Sequence, residues 1–135
     1  VEFAFVSIDG GDSKRFILQA LERRGIPYID CGMGIEVVNG ALTGQVRTTT
    51  SLPGFSSHIW EKSAVSFSEG DAGNEYAWNI QIAELNSLNA AHAVIRWKKW
   101  AGFYLDLEHE LHSIYPIDGN VIFNTYHKFE ESIAA

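Results

Sequence analysis

Two aspartates flank a pair of glycines in Asp9-Gly-Gly-Asp-Ser13, and this is where the residue types and spacing offer the most chemistry. Carboxylates beside glycines can hold Mg2+ or orient a phosphate chain. Hard cations take oxygen ligands, and Mg2+ sites commonly combine one or two carboxylates with phosphate oxygens. The same residues also suit a purely local role, with Asp12 or Ser13 capping a helix and Asp9 polarising a turn. Spacing alone leaves both readings open. A second cluster, Glu108-His-Glu-Leu-His112, suggests a metal, but it lacks the His-Glu-x-x-His spacing and has no evident third ligand. His109 and His112 are therefore expected at the surface. The acidic Glu69, Asp71 and Glu75 are expected to favour a helix N-terminus rather than to bind metal.

The turn at Asp9 must be positioned by the elements around it. Residues 3 to 8 form an apolar run of β-branched and aromatic type, which predicts a strand covered on both faces. Gly10 and Gly11 then permit a positive φ or a close approach to a ligand. In the helix that follows, Ile17, Ala20, Leu21 and Arg24 share a face widened by Phe16 and Leu18, and Gly25 with Pro27 stops it. The carboxylates thus lie at the C-terminal end of a strand, where open α/β sheets bind ligands.

Further along, residues 26 to 34 read as a second strand and 41 to 50 as a third, joined at Asn39-Gly40 as a hairpin with a somewhat irregular loop. Arg47 and Thr48 to Thr50 alternate in a way that suits a strand near the sheet edge. Residues 51 to 74, rich in Ser and Gly, read as the least ordered part, a segment crossing the sheet. A long helix is expected from about Glu75 to Trp100, with Trp78, Ile82, Leu85, Leu88, His92 and Ile95 as its core stripe. Its amides, Asn79, Gln81, Asn86 and Asn89, are expected to find partners in the sheet or a second subunit. Its closing Arg96, Lys98 and Lys99 complement the helix dipole. The tail offers a turn at Pro116 to Gly119 and a strand from Asn120 to Tyr126.

At 135 residues the chain makes one domain at most. Its net charge of -7, from ten basic against seventeen acidic residues, argues against a nucleic-acid or anionic-membrane surface. A bound nucleotide would need metal and local cations. The one cysteine, Cys31, excludes an internal disulfide and a Cys-rich zinc site, suits a reducing cytoplasm, and is expected as a buried thiol. No apolar run is long enough to span a membrane. Val1 opens directly into an apolar strand, so the chain reads as a piece of a longer protein.

Four blocks of the chain, over roughly residues 3 to 104, resemble the ThiF and E1-like adenylyltransferases. They are Phe5-Val-Ser-Ile-Asp-Gly-Gly-Asp-Ser-Lys-Arg15, Gly25-Ile-Pro-Tyr-Ile-Asp-Cys-Gly32, Gly44-Gln-Val46 and the stretch from Asn79 to Ala91. The resemblance implies an α/β fold with a Rossmann-like mixed sheet, here as the C-terminal part of an adenylation domain spanning residues 1 to 135. It also implies an ATP and Mg2+ site and a protein carboxylate attacking the α-phosphate to give an acyl-adenylate and pyrophosphate. The carboxylate would be the C-terminus of a ubiquitin-like or sulfur-carrier protein. By this resemblance Asp12 takes the catalytic and metal-binding place, Asp9, Gly10, Gly11 and Ser13 border the cofactor, and Ser13 stands where the family has Asn. Arg15 resembles a family arginine, at a spacing shorter by about two residues. A cytoplasmic homodimer is the expected form.

Several family features are absent: the glycine-rich phosphate cradle, the ribose-binding acid, the triphosphate-gripping cations and the paired Cys-x-x-Cys zinc motifs. The chain alone is therefore expected to be inactive. The alternative is a non-catalytic interaction or dimerisation module, supported by four tryptophans and the amide-rich helix. The back half of a dinucleotide-binding oxidoreductase shares the strand-end logic but does not explain Gly44-Gln45 or the Asn79 to Ala91 stretch.

Overall fold

The computed structural model describes residues 1–67 and 82–129. The expected helix start at Glu75, the stripe residue Trp78, the amides Asn79 and Gln81, and the acidic Glu69 and Asp71 lie outside the described residues. The remainder is an α/β fold built on a five-stranded mixed sheet in the order β1-β2-β3-β4-β5. Strand β1 (Ala4–Val6) leads through helix α1 (Gly11–Arg23) into β2 (Tyr28–Val38), and β1 pairs parallel to β2 with Val6 opposite Asp30. Parallel pairing needs a crossover, which α1 supplies. The remaining pairs, β2 with β3 (Ala41–Ser51), β3 with β4 (Glu110–Pro116) and β4 with β5 (Phe123–His127), are antiparallel.

Helix α1 ends as its sequence requires. Gly25 takes φ +65°, its N–H donates to the Glu22 carbonyl, and the Ile26 N–H donates to the Leu21 carbonyl at 3.0 Å. That pair of bonds is a Schellman motif. Its buried face differs from the expected one: Gly11, Lys14 and Leu18 turn inward, while Phe16 and Ile17 are exposed. The inward position of Lys14 is made possible by an acidic partner on β2.

The hairpin between β2 and β3 is tighter than expected. Val38 pairs with Ala41, leaving Asn39 (φ 51°) and Gly40 (φ 80°) as a two-residue loop. Positive φ at both loop residues is what a type I′ turn needs. Strand β3 is central and not near the edge, and Thr48, Thr49, Thr50 and Ser51 are all buried. β-branched threonines suit a covered strand when their hydroxyls find partners. Thr48 Oγ1 donates to Asn89 Oδ1 at 3.3 Å, and Thr49 Oγ1 lies 2.8 Å from His112 Nδ1. Strand β4 went unrecognised because its Glu110, His112 and Ser113 obscure the alternation.

Two cores cover the sheet. On one face Val6, Leu18, Tyr28, Ile59 and Val65 pack together, joining α1 to the short helix α2 (Ser57–Trp60). Full burial of a side chain such as Leu18 or Ile59 stabilises by roughly 1.5–3 kcal/mol. The expected loosely ordered crossing segment is thus, up to Phe67, part of this core: Ile59, Ala64 and Val65 are buried. On the other face Ile35 and Val46 pack against Leu85 of helix α3 (Ala83–Trp100).

Two expectations about burial are corrected. Strand β1 is a three-residue edge strand covered unequally on its two sides: Val6 is buried, but Phe5, against Trp97 of α3, remains half-exposed. In α3 the buried residues are Leu85, Asn89, Ala93 and Arg96, whereas Ile95 is exposed and Leu88 and His92 are half-buried. The helix is turned toward its polar residues because the sheet and the following loop bind them. Asn89 Nδ2 donates to the Gly32 carbonyl at 2.9 Å, and Arg96 pairs with Asp106 and Glu110.

Candidate functional site

The β1–α1 turn keeps its five singled-out residues together at the end of β1. Gly11 adopts φ 86°, a conformation glycine reaches without steric cost, and its N–H donates to the Phe67 carbonyl at 3.0 Å. Gly10, not Asp12 or Ser13, is the N-cap, and no side chain caps the helix. The capping role expected for Asp12 or Ser13 is therefore corrected: both face solvent, as does Asp9. Neither Asp9 nor Asp12 forms an ion pair among the described residues.

Beneath the turn lies a charged arrangement that reading the sequence missed. Lys14, in the first turns of α1, points into the fold and places Nζ 2.9 Å from Asp30 Oδ1, with side chains only 4% and 2% exposed. Asp30 comes to this place because Val6 pairs with it across β1 and β2. Arg47, on β3, faces the same region and donates from Nη1 to the Ala64 carbonyl at 3.3 Å. Gly32 makes room for it: a Cβ there would sit 2.6 Å from Arg47 Nη2. Burial pushes the Asp30 carboxyl up, against the opposing pull of Lys14 and Arg47. Burial likewise lowers the Arg47 guanidinium, with Asp30 opposing. Two cations around one carboxylate give the region behind the turn a positive bias. The sequence did carry a signal: a lysine near a helix N-terminus opposes the dipole and calls for an anion, and Asp30 interrupts an apolar strand.

The outer side of α1 is clasped by the last residue of α2 and the segment after it. The Trp60 and Phe67 rings stack at 5.2 Å, and the Arg15 guanidinium lies 4.4 Å from the Phe67 centroid. Trp60 Nε1 donates to the Glu22 carboxylate at 2.8 Å. Arg15 is thus committed to an aromatic contact on the surface of α1.

The remaining candidates separate from this site. Cys31 is half-buried, and burial with the nearby Asp30 pushes its thiol up to about 11, so it stays protonated at neutral pH. His112 is buried and not on the surface; it lies against Thr49 and Tyr126, and burial with Arg47 and His58 lowers it to about 4. His109 is turned elsewhere, with Nδ1 3.5 Å from Asp106. Among the described residues no three His, Cys, Asp or Glu side chains are grouped as a metal site. Gly44 and Gln45 line an open groove of about 420 Å3 at the hairpin end of β2 and β3, and no residue of the β1–α1 turn belongs to it. Among the described residues no helix is long and apolar enough to cross a membrane.

Magnesium fits the turn by donor type: two exposed carboxylates stand beside a glycine pair at the N-terminus of a thirteen-residue helix. No model of a known protein family matches this chain, and no curated protein matches it at a significant level.

Proposed function

We propose that this chain is part of a ThiF or E1-like adenylyltransferase, with a mixed sheet of that type. In this reading the whole enzyme uses ATP and Mg2+ to adenylate the C-terminal carboxylate of a ubiquitin-like or sulfur-carrier protein in the cytoplasm, and the chain alone is inactive. The observation that supports it most is the β1–α1 turn, where Asp9 and Asp12 face solvent and cap nothing.

Asp12, with Asp9 beside it, would hold the metal, which when bound neutralises charge on phosphate oxygens. The residues of the chain do the rest. The N-terminal dipole of α1 favours the negative charge of a phosphate, and the buried Lys14 with the half-buried Arg47 bias the region behind it positively. Gly10, without a side chain, adds no bulk at the N-cap.

The test is calorimetry of ATP-Mg2+ on this chain and on a full-length parent, together with pyrophosphate exchange by the parent's Asp12→Asn variant. Binding and exchange by the parent, with exchange lost in the variant, support the reading. Retained exchange removes Asp12 from the mechanism.

A second reading, a non-catalytic dimerisation module, is favoured by one observation. Phe3, Phe5, Trp97 and Trp100 form an aromatic cluster at the open β1 edge, with Phe5 49% and Trp100 42% exposed. A dimer by light scattering, unaffected by nucleotide, would favour it.

A further inference from the structure

A cavity of about 310 Å3 lies on the α3 face of the sheet, between the C-terminal half of α3, the end of β3, the start of β4 with the loop before it, and the residues just after β5. It is remote from the β1–α1 turn in the fold and shares no residue with it. Its walls are partly apolar, from Leu52, Trp100 and Leu111.

Its polar lining is dominated by donors. Arg96 is held at both of its terminal nitrogens: Nη1 lies 2.9 Å from Glu110, and the Asp106 carboxylate receives bonds from Nη1 and Nη2. Its Nε, although buried, has no hydrogen-bond partner among the described residues. The same is true of Thr50 Oγ1, on a side chain only 2% exposed. Buried donors without acceptors are costly and uncommon in a finished fold. Lys99 is paired with Glu110 at 3.4 Å. Lys128 makes no ion pair among the described residues and instead lies 5.2 Å from the Phe55 ring centroid. Three permanent cations thus meet two carboxylates.

We propose that this cavity binds a small organic carboxylate with an aromatic or branched apolar body. The carboxylate supplies the acceptors that Thr50 and Arg96 Nε lack and offsets the charge of Lys128. The apolar body packs between Trp100, Leu52 and Leu111. The volume is near the lower end of ligand pockets and suits a single ring bearing a short acid.

The test is a nuclear magnetic resonance titration of the chain with phenylacetate, its neutral isostere phenylacetamide, and inorganic phosphate. Phenylacetate is expected to shift the Thr50 and Leu111 amides, the Arg96 Nε–H and the Trp100 indole N–H saturably. Phenylacetamide should bind about tenfold more weakly, as should phenylacetate to Lys128→Gln, each having lost one charge-assisted contact. Thr50→Val should weaken binding while keeping the shape of the side chain. Lys62→Gln, outside the cavity, should leave affinity unchanged. Equal binding of the neutral amide would reduce the site to an apolar crevice and overturn the proposal. Equal binding of phosphate would overturn the role of the apolar body, and absence of saturable shifts would overturn the site itself.

Discussion

The Lys14 ammonium lies 2.9 Å from the Asp30 carboxylate, with both side chains almost wholly withdrawn from water. Ions so placed depend on each other, because either one alone would be an uncompensated buried charge. Lys14→Met and Asp30→Leu should each cost about 3–5 kcal/mol, and the double variant should recover most of that loss. Urea denaturation of the three variants measures this. Additive losses would show that the pair is not coupled.

Asp12 stands in the opposite situation. It is exposed and caps nothing, so Asp12→Asn should change stability by no more than about 0.5 kcal/mol. A thermal melt of the variant beside the parent chain checks it. A large loss would return Asp12 to a structural role and weaken any functional one.

Two buried histidines predict loss of stability in acid. Burial lowers both His58 and His112 from their ordinary value, His112 to about 4 with help from Arg47 and His58. A histidine depressed in the folded state binds its proton more readily when unfolded. For His112 the contribution to stability is therefore complete above about pH 6.5 and declines as pH falls toward about 4, and for His58 it declines in the same direction. For His112 the decline should reach about 2 kcal/mol, allowing for screening by residual solvent. Chemical denaturation at a series of pH values, with His112→Leu flattening the curve over that interval, is the measurement.

Three glycines of the hairpin should rank by what their missing Cβ would meet. At Gly44 a Cβ would fall 2.1 Å from the Gly34 carbonyl oxygen, a backbone atom that cannot step aside. At Gly32 it would meet the Arg47 guanidinium at 2.6 Å, and at Gly34 nothing lies within 4 Å. Substitution by Ala should cost at least about 3 kcal/mol at Gly44 and about 1 kcal/mol at Gly32, with little change at Gly34. Denaturation midpoints of the three variants test the order.

Much of the fold could be read from residue types. The β1–α1–β2 order, the turn at Asn39-Gly40 and the stop at Gly25 follow from apolar runs and from residues that tolerate positive φ. What escaped was polar. The threonines of β3 suggested an edge, yet the hydroxyls of Thr48 and Thr49 pair with Asn89 and His112, so burial of these two carries little penalty. Apolarity alone placed Leu88, His92 and Ile95 inward in α3, whereas bonds to Asn89 and Arg96 turn the helix by about one residue. At the candidate site the exposed Asp9, Asp12 and Ser13 were legible from spacing. Lys14, Asp30 and Arg47 meet only once α1 is packed on the aligned β2 and β3, and no local pattern carries that arrangement.

The tight Asn39-Gly40 loop also bears on the order in which the chain assembles. The β2–β3 ladder from Val38↔Ala41 to Tyr28↔Ser51 joins neighbours in sequence and can zip from its turn. Pairing of Ala4 to Val6 with Tyr28 to Asp30 must wait until α1 has closed the crossover, and it adds only three residues at an open edge. Hydrogen exchange should therefore find the central amides of β2 and β3 protected first during refolding and released last in the native state, with those of β1 the reverse. Early protection of β1 would place the crossover, and not the hairpin, at the start of folding.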